Sequence, residues 1–138
     1  MGRIVAIDYG TKRTGLAVTD PLQIIATALE TVPTHTLFTY LQQYIAQEPV
    51  ELFVLGLPID LQGQDTETTQ TIRRVGNQLQ QTFPDIPLSL QDERFTSKSA
   101  LAAMISAGSK KKDRQNKANI DKVSAVIILQ SYLETQSS

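Results

Sequence analysis

Four carboxylates stand where oxygen-ligand metal chemistry could be assembled. Asp8 ends the apolar run Ile4-Val5-Ala6-Ile7, Asp92 and Glu93 end the run Leu88-Ser89-Leu90-Gln91, and Asp121 follows Asn119-Ile120 at the head of a long apolar stretch. Two carboxylates about 4 Å apart repel by roughly 4 kcal/mol at an effective dielectric near 20, so a cluster of them persists only with protons or cations. The chain has no cysteine and one histidine, His35. Thiolate ligation and cysteine nucleophiles are thereby excluded, and an acid-only ligand set favours Mg²⁺ or Mn²⁺ over zinc. Two such ions roughly 3.5–4 Å apart can activate a water and stabilise the leaving oxygen of a phosphodiester.

Each acid also has a bland use. Asp8 could stabilise the turn after its strand, Asp92-Glu93-Arg94 could form a terminal ion pair, and an acid suits the first turn of any helix. What raises the catalytic reading is the conjunction of these acids, from distant parts of the sequence, at one sheet edge. Lys12 and Arg13 follow Asp8 within a Gly10-Thr11-Lys12-Arg13 turn, where Gly10 and Gly15 supply backbone freedom. They could grip a substrate phosphate or neutralise the acids. Arg94 could orient Glu93 or hold a phosphate bidentately. Lys110, Lys111, Lys112, Arg114 and Lys117 oppose only Asp113, a net +4. Because the whole chain carries −1, the remainder carries −5. A basic segment just before Asp121 reads as a phosphate-binding loop on an acidic body. His35, in Pro33-Thr34-His35-Thr36, reads as a surface residue.

The elements that must position these groups follow from periodicity. Arg3 to Asp8, Gly15 to Thr19 and Ile24 to Thr31 read as three strands joined by short turns, an antiparallel meander. Leu37, Leu41, Tyr44 and Ile45 recur at helical spacing behind Thr36 as N-cap, with Phe38, Tyr40 and Tyr44 read as core rather than base-stacking aromatics. Glu51 to Leu55 is an apolar strand stopping at Gly56-Leu57-Pro58. Asp65 or Thr66 caps a helix bearing Ile72, Val75 and Leu79. Pro84 and Pro87 bracket a break before the strand Leu88 to Gln91. Thr96 or Ser97 caps a further helix through Met104, closed by Gly108, and Asn119 caps the last, running to Leu133 with Asp121 in its first turn. Strands alternating with helices predict an α/β fold: a mixed five-stranded sheet with helices on both faces, three layers in all. In such sheets the functional crevice lies beyond the carboxyl ends of the parallel strands, where Asp8 and Asp92-Glu93 would sit.

At 138 residues the chain fits one domain, expected to span 1–138. Its composition is that of an ordinary soluble globular protein, and the absence of cysteine suits a cytoplasmic setting. The apolar run before Asp8 is too short for a signal peptide or a membrane span.

These blocks together resemble a known family. Ile7-Asp8-Tyr9-Gly10-Thr11-Lys12-Arg13-Thr14-Gly15-Leu16-Ala17 resembles the opening of the YqgF-type family of pre-16S rRNA nucleases, relatives of the Holliday-junction resolvases in the ribonuclease H-like superfamily. Val54-Leu55-Gly56-Leu57-Pro58 with Gly63, Asp92-Glu93-Arg94-Phe95-Thr96-Ser97 and Ile120-Asp121-Lys122-Val123-Ser124-Ala125 are similar to its later blocks, in order. Ser124 stands where the family commonly has alanine, which disturbs neither an acid nor the helix.

The resemblance implies a ribonuclease H-like fold, with Asp8, Glu93 and Asp121 as catalytic metal ligands and Asp92 as a candidate helper. It implies a two-metal nuclease acting on structured or precursor rRNA, with ribosomal particles as candidate partners, or alternatively on branched DNA. A monomer or a homodimer is expected, and no membrane partner. Two other classes compete: a non-catalytic RNA-binding ribosome-assembly factor, and a phosphotransferase of the actin/sugar-kinase type. The second needs two nucleotide-enclosing lobes, and this length supplies one.

Overall fold

A computed structural model describes residues 2–57, 66–92 and 117–137, with Asp92, residues 117–123 and residue 137 described by backbone path alone. Five strands form one sheet: β1 (Arg3–Asp8), β2 (Arg13–Thr19), β3 (Ala26–Pro33), β4 (Val50–Leu57) and β5 (Leu88–Asp92). Their spatial order is β3-β2-β1-β4-β5. β1, β2 and β3 pair antiparallel, while β4 and β5 run parallel to β1. The meander and the parallel half are therefore as the sequence predicts. Three helices are described: α1 (Leu37–Gln47), α2 (Glu67–Thr82) and α3 (Lys117–Ser137).

The sheet separates two apolar layers, and strand alternation assigns each side chain to one of them. Val5 and Ile7 of β1 join Phe53 and Leu55 of β4 beneath Leu37, Leu41, Ile72, Val75 and Leu79 of α1 and α2. Phe38 and Tyr44 pack at the border of this layer, as expected for core aromatics, and Phe38 stacks on Phe83 at 6.5 Å. Ile4 and Ala6 face the other way, with Ala17 and Val54, against Ala125, Val126, Ile128 and Leu129 of α3. Helices thus cover both faces.

Element ends depart from expectation for local reasons. Thr66 does cap α2: its hydroxyl accepts from the Thr69 amide at 3.2 Å, and Thr69 returns the bond to the Thr66 amide at 3.0 Å. Thr36 does not cap α1. A 3-10 turn over Thr34–Thr36 precedes that helix, and the Thr36 hydroxyl donates to the Pro33 carbonyl at 2.7 Å instead. β3 starts at Ala26 rather than Ile24, because the Asp20 carboxylate holds the amides of Leu22, Ile24 and Ile25 in a turn. α3 begins at Lys117, so Asn119 is inside the helix and Asp121 is its fifth residue, past the first turn. It continues to Ser137, well beyond Leu133. The proposed helix from Thr96 or Ser97 to Met104 lies outside the described residues, as does Asp65.

Candidate active site

Asp8 ends β1 half-buried, and alternation after Ile4 and Ala6 puts it on the α3 side of the sheet. Its ladder neighbours are informative. Across β2 it pairs with Gly15; across β4, one step beyond the Ile7–Leu55 pair, it is level with Gly56. Both strand neighbours on that face therefore lack side chains. On that face, the two nearest cross-strand positions therefore set no side chain of their own beside the carboxylate. Gly15, expected to open the second strand, lies inside β2, which starts two residues earlier at Arg13. Sequence reasoning missed this flanking role, although extending the tight hairpin register from Asp8 would have found Gly15.

Asp92 ends β5 beside Leu57, one position beyond the level of Asp8, Gly56 and Gln91. Two strand spacings separate the backbones of β1 and β5, about 9–10 Å. Both acids thus stand at the carboxyl edge. α3 approaches the same edge. Its Tyr132 and Leu133 line a groove with Ile4, Leu52 and Pro87, at the amino ends of the parallel strands, so the helix runs antiparallel to them. Asp121 precedes Tyr132 by three helical turns, about 16 Å. Asp8 lies about 13 Å from Ile4 along β1. The α3 backbone at Asp121 is therefore near the level of Asp8, one turn before Ala125. Ala6, Ala17 and Ala125, all fully buried, let the helix lie close to the sheet.

The turn after Asp8 is tied down. A Cβ at Gly10 would come within 2.3 Å of the Arg13 carbonyl oxygen, so only glycine fits the loop closure. Thr34 donates its hydroxyl to the Gly10 carbonyl at 2.6 Å and its amide to the Lys12 carbonyl at 3.0 Å. With that hydrogen committed, the fully buried Thr14 hydroxyl must donate to Thr34, 2.9 Å away. Lys12 and Arg13 project from this braced turn, both exposed. Lys117 opens α3. Glu93, Arg94, Lys110, Lys111, Lys112 and Arg114 lie outside the described residues. His35 is exposed in the 3-10 turn, as expected for a surface residue.

Donor chemistry fits a hard divalent cation: the acids at the edge offer only oxygen, and the chain has no thiol. Among the described residues, Glu93 being outside them, no three acidic or histidine side chains gather around one point.

The sheet order, the antiparallel α3 and the edge acids define a ribonuclease H-like α/β domain. Its fold matches RuvC of Thermus thermophilus: a complex of T. thermophilus RuvC with Holliday junction substrate superposes with a TM-score of 0.63 at 14% identity, covering 100% of this chain and 97% of that one. A second Thermus thermophilus RuvC structure gives 0.56, covering 97% and 96%. A family model described as "RuvX: Holliday junction resolvase" matches residues 2–135, and the chain belongs to that family. Among curated relatives, a Porphyromonas gingivalis protein is 57% identical over 97% of both chains. One from Phocaeicola vulgatus is 55% identical over 99% of this chain and 98% of its own. Both carry the name "Putative pre-16S rRNA nuclease".

Proposed function

We propose that the chain is a divalent-metal-dependent nuclease that trims precursor 16S rRNA during ribosome maturation in the cytoplasm, as a single domain over 1–138. Asp8, Glu93 and Asp121 are its metal ligands, with Asp92 beside them, and two Mg²⁺ or Mn²⁺ ions are the cofactors. When bound, such ions supply Lewis-acid stabilisation of charge at the scissile phosphate. The chain's own residues do the rest. Lys12 and Arg13, on the turn braced by Thr34, hold the substrate backbone beside Asp8; Arg94, Lys110, Lys111, Lys112, Arg114 and Lys117 extend that electrostatic contact. The observation that carries the reading is Asp8 at the carboxyl edge of β1, flanked by two glycines. The names of the curated relatives support precursor rRNA as substrate.

Branched DNA is the second reading, favoured by the family description and by the likeness to RuvC. A matched panel of precursor-rRNA fragments, single-stranded RNA and four-way DNA, incubated with Mg²⁺, Mn²⁺ or chelator, separates the two. Metal-dependent cleavage of the rRNA precursor in preference to the junction is expected. Preference for the junction transfers the assignment to resolution, and gel-shift binding with no cleavage of any substrate reduces the protein to an assembly factor.

A further inference from the structure

The opposite pole of the sheet carries a surface that nuclease chemistry does not use. In the β2–β3 turn Leu22, Ile24 and Ile25 are 64%, 66% and 63% exposed. They are not on a loose loop. Asp20 accepts from three amides there, at 2.8–3.2 Å. Gln23 adopts a left-handed backbone (φ 60°), and its side-chain amide donates to the Gly2 carbonyl and to Glu51. The turn therefore presents its aliphatic side chains in a fixed arrangement. Beside it runs a groove of about 670 Å³, whose apolar wall is Ile4, Ile24, Leu52, Pro87, Tyr132 and Leu133. Ile24 belongs to both features, so turn and groove form one apolar surface.

Charge decides the occupant. The carboxylates among the groove-lining residues are Glu51 and Glu134, and no Lys or Arg accompanies them among the described residues. Along the chain no Lys or Arg occurs between Arg13 and Arg73, and none after Lys122. The cations belong to the turn after Asp8, to α2, to the 94–122 region and, at the amino end, to Arg3, whose guanidinium is engaged with Glu48 and the Thr19 carbonyl. Among the described residues, the groove thus offers a nucleic-acid backbone two carboxylates and no cation. A second copy docking through the same face would set acids against acids, since an isologous contact buries the same patch from both sides.

We propose that this face docks a cationic protein segment: an amphipathic helix whose aliphatic or aromatic anchors fill the groove and cover Ile24 and Ile25, while flanking Lys or Arg residues meet Glu51 and Glu134. It sits at the amino ends of β1 and β4, so the partner can be held while the carboxyl edge engages nucleic acid. The enzyme would thereby join a basic protein and the nucleic acid that protein accompanies.

The test uses the full chain and a fluorescent amphipathic helix built of leucine and lysine, followed by anisotropy, with a serine-for-leucine peptide of equal charge as control. Saturable binding is expected, weakening with salt, and absent for the control peptide. The exposed pair I24S/I25S should weaken it by roughly tenfold or more, and E51K/E134K should do so while flattening the salt dependence. Metal-dependent cleavage should be unchanged in both variants, which separates failure of this proposal from failure of the nuclease reading. Equal binding of the control peptide overturns the proposal, as does binding insensitive to both variants. Concentration-dependent dimerisation of the wild type, abolished by I24S/I25S, also overturns it, assigning the face to a second copy.

Discussion

Asp8 stands directly opposite Gly15 across the β1–β2 ladder, so the closest cross-strand position to the candidate metal ligand carries no side chain. In an antiparallel pair, directly opposite side chains come within about 4.5–5.5 Å of each other, which is the space an ion and its ligands would need. Gly15→Val fills that space without touching an acid. Cleavage should fall by about tenfold to a hundredfold, with weaker metal affinity, and Gly15→Ala should fall between the two. Mn²⁺ titration by calorimetry beside cleavage rates checks this. Unchanged metal affinity in a folded Gly15→Val protein refutes it.

Asp8→Asn removes one acid of the candidate cluster while keeping its shape. Cleavage should drop below detection with any divalent ion. In metal-free buffer the melting temperature should stay equal or rise, because a carboxylate among carboxylates is repelled, by about 1 kcal/mol at 4 Å even in a water-like dielectric. Paired melts and cleavage assays decide; a variant that still cuts excludes Asp8 from the chemistry.

The fold was legible because its elements are strongly periodic and its turns short. Arg3 to Asp8 reads as a strand since four consecutive apolar residues end on a carboxylate shortly before the turn that starts at Gly10, and β1 covers those residues. The parallel half follows from strands alternating with helices. Boundaries were less legible where a side chain captures the backbone: Ile24 and Ile25 look like strand residues, but Asp20 takes their amides first. Likewise the Thr36 hydroxyl finds the Pro33 carbonyl before it can cap α1. The site divided the same way. An acid at a strand end is visible in one dimension; the glycines flanking it and the hydroxyl bracing its turn are products of register, which no local window contains.

That brace yields its own prediction. Thr34→Val keeps the volume but loses the bonds to Gly10 and Thr14, leaving the fully buried Thr14 hydroxyl without its acceptor. An orphaned buried hydroxyl costs about 1–3 kcal/mol. The melting temperature should fall accordingly. Substrate affinity should weaken more than the turnover rate, since the loosened turn carries Lys12 and Arg13 rather than the metal. Thr34→Ser should restore both. A Thr34→Val enzyme whose turnover falls while its KM stays constant would place the turn in the chemical step instead.

Asp20 makes stability depend on acid pH in a defined direction. The Ile25 amide, then those of Ile24 and Leu22, hold its carboxyl below the ordinary aspartate value of 3.8 against the opposing effect of burial. The unfolded chain binds the proton more readily than the folded one. The contribution is therefore complete above the unfolded value and is lost as pH falls through the lower, folded value. Asp20→Asn cannot titrate and keeps one acceptor oxygen for Ile24 and Ile25, but offers none to Leu22. The difference in melting temperature between wild type and variant should favour wild type near neutrality and shrink steadily as the pH drops through that acid window. Melts across the acid range, with NMR titration of the Asp20 carboxyl, test both halves. A difference independent of pH, or a titration at or above 3.8, would show that the three amides do not favour the charged form.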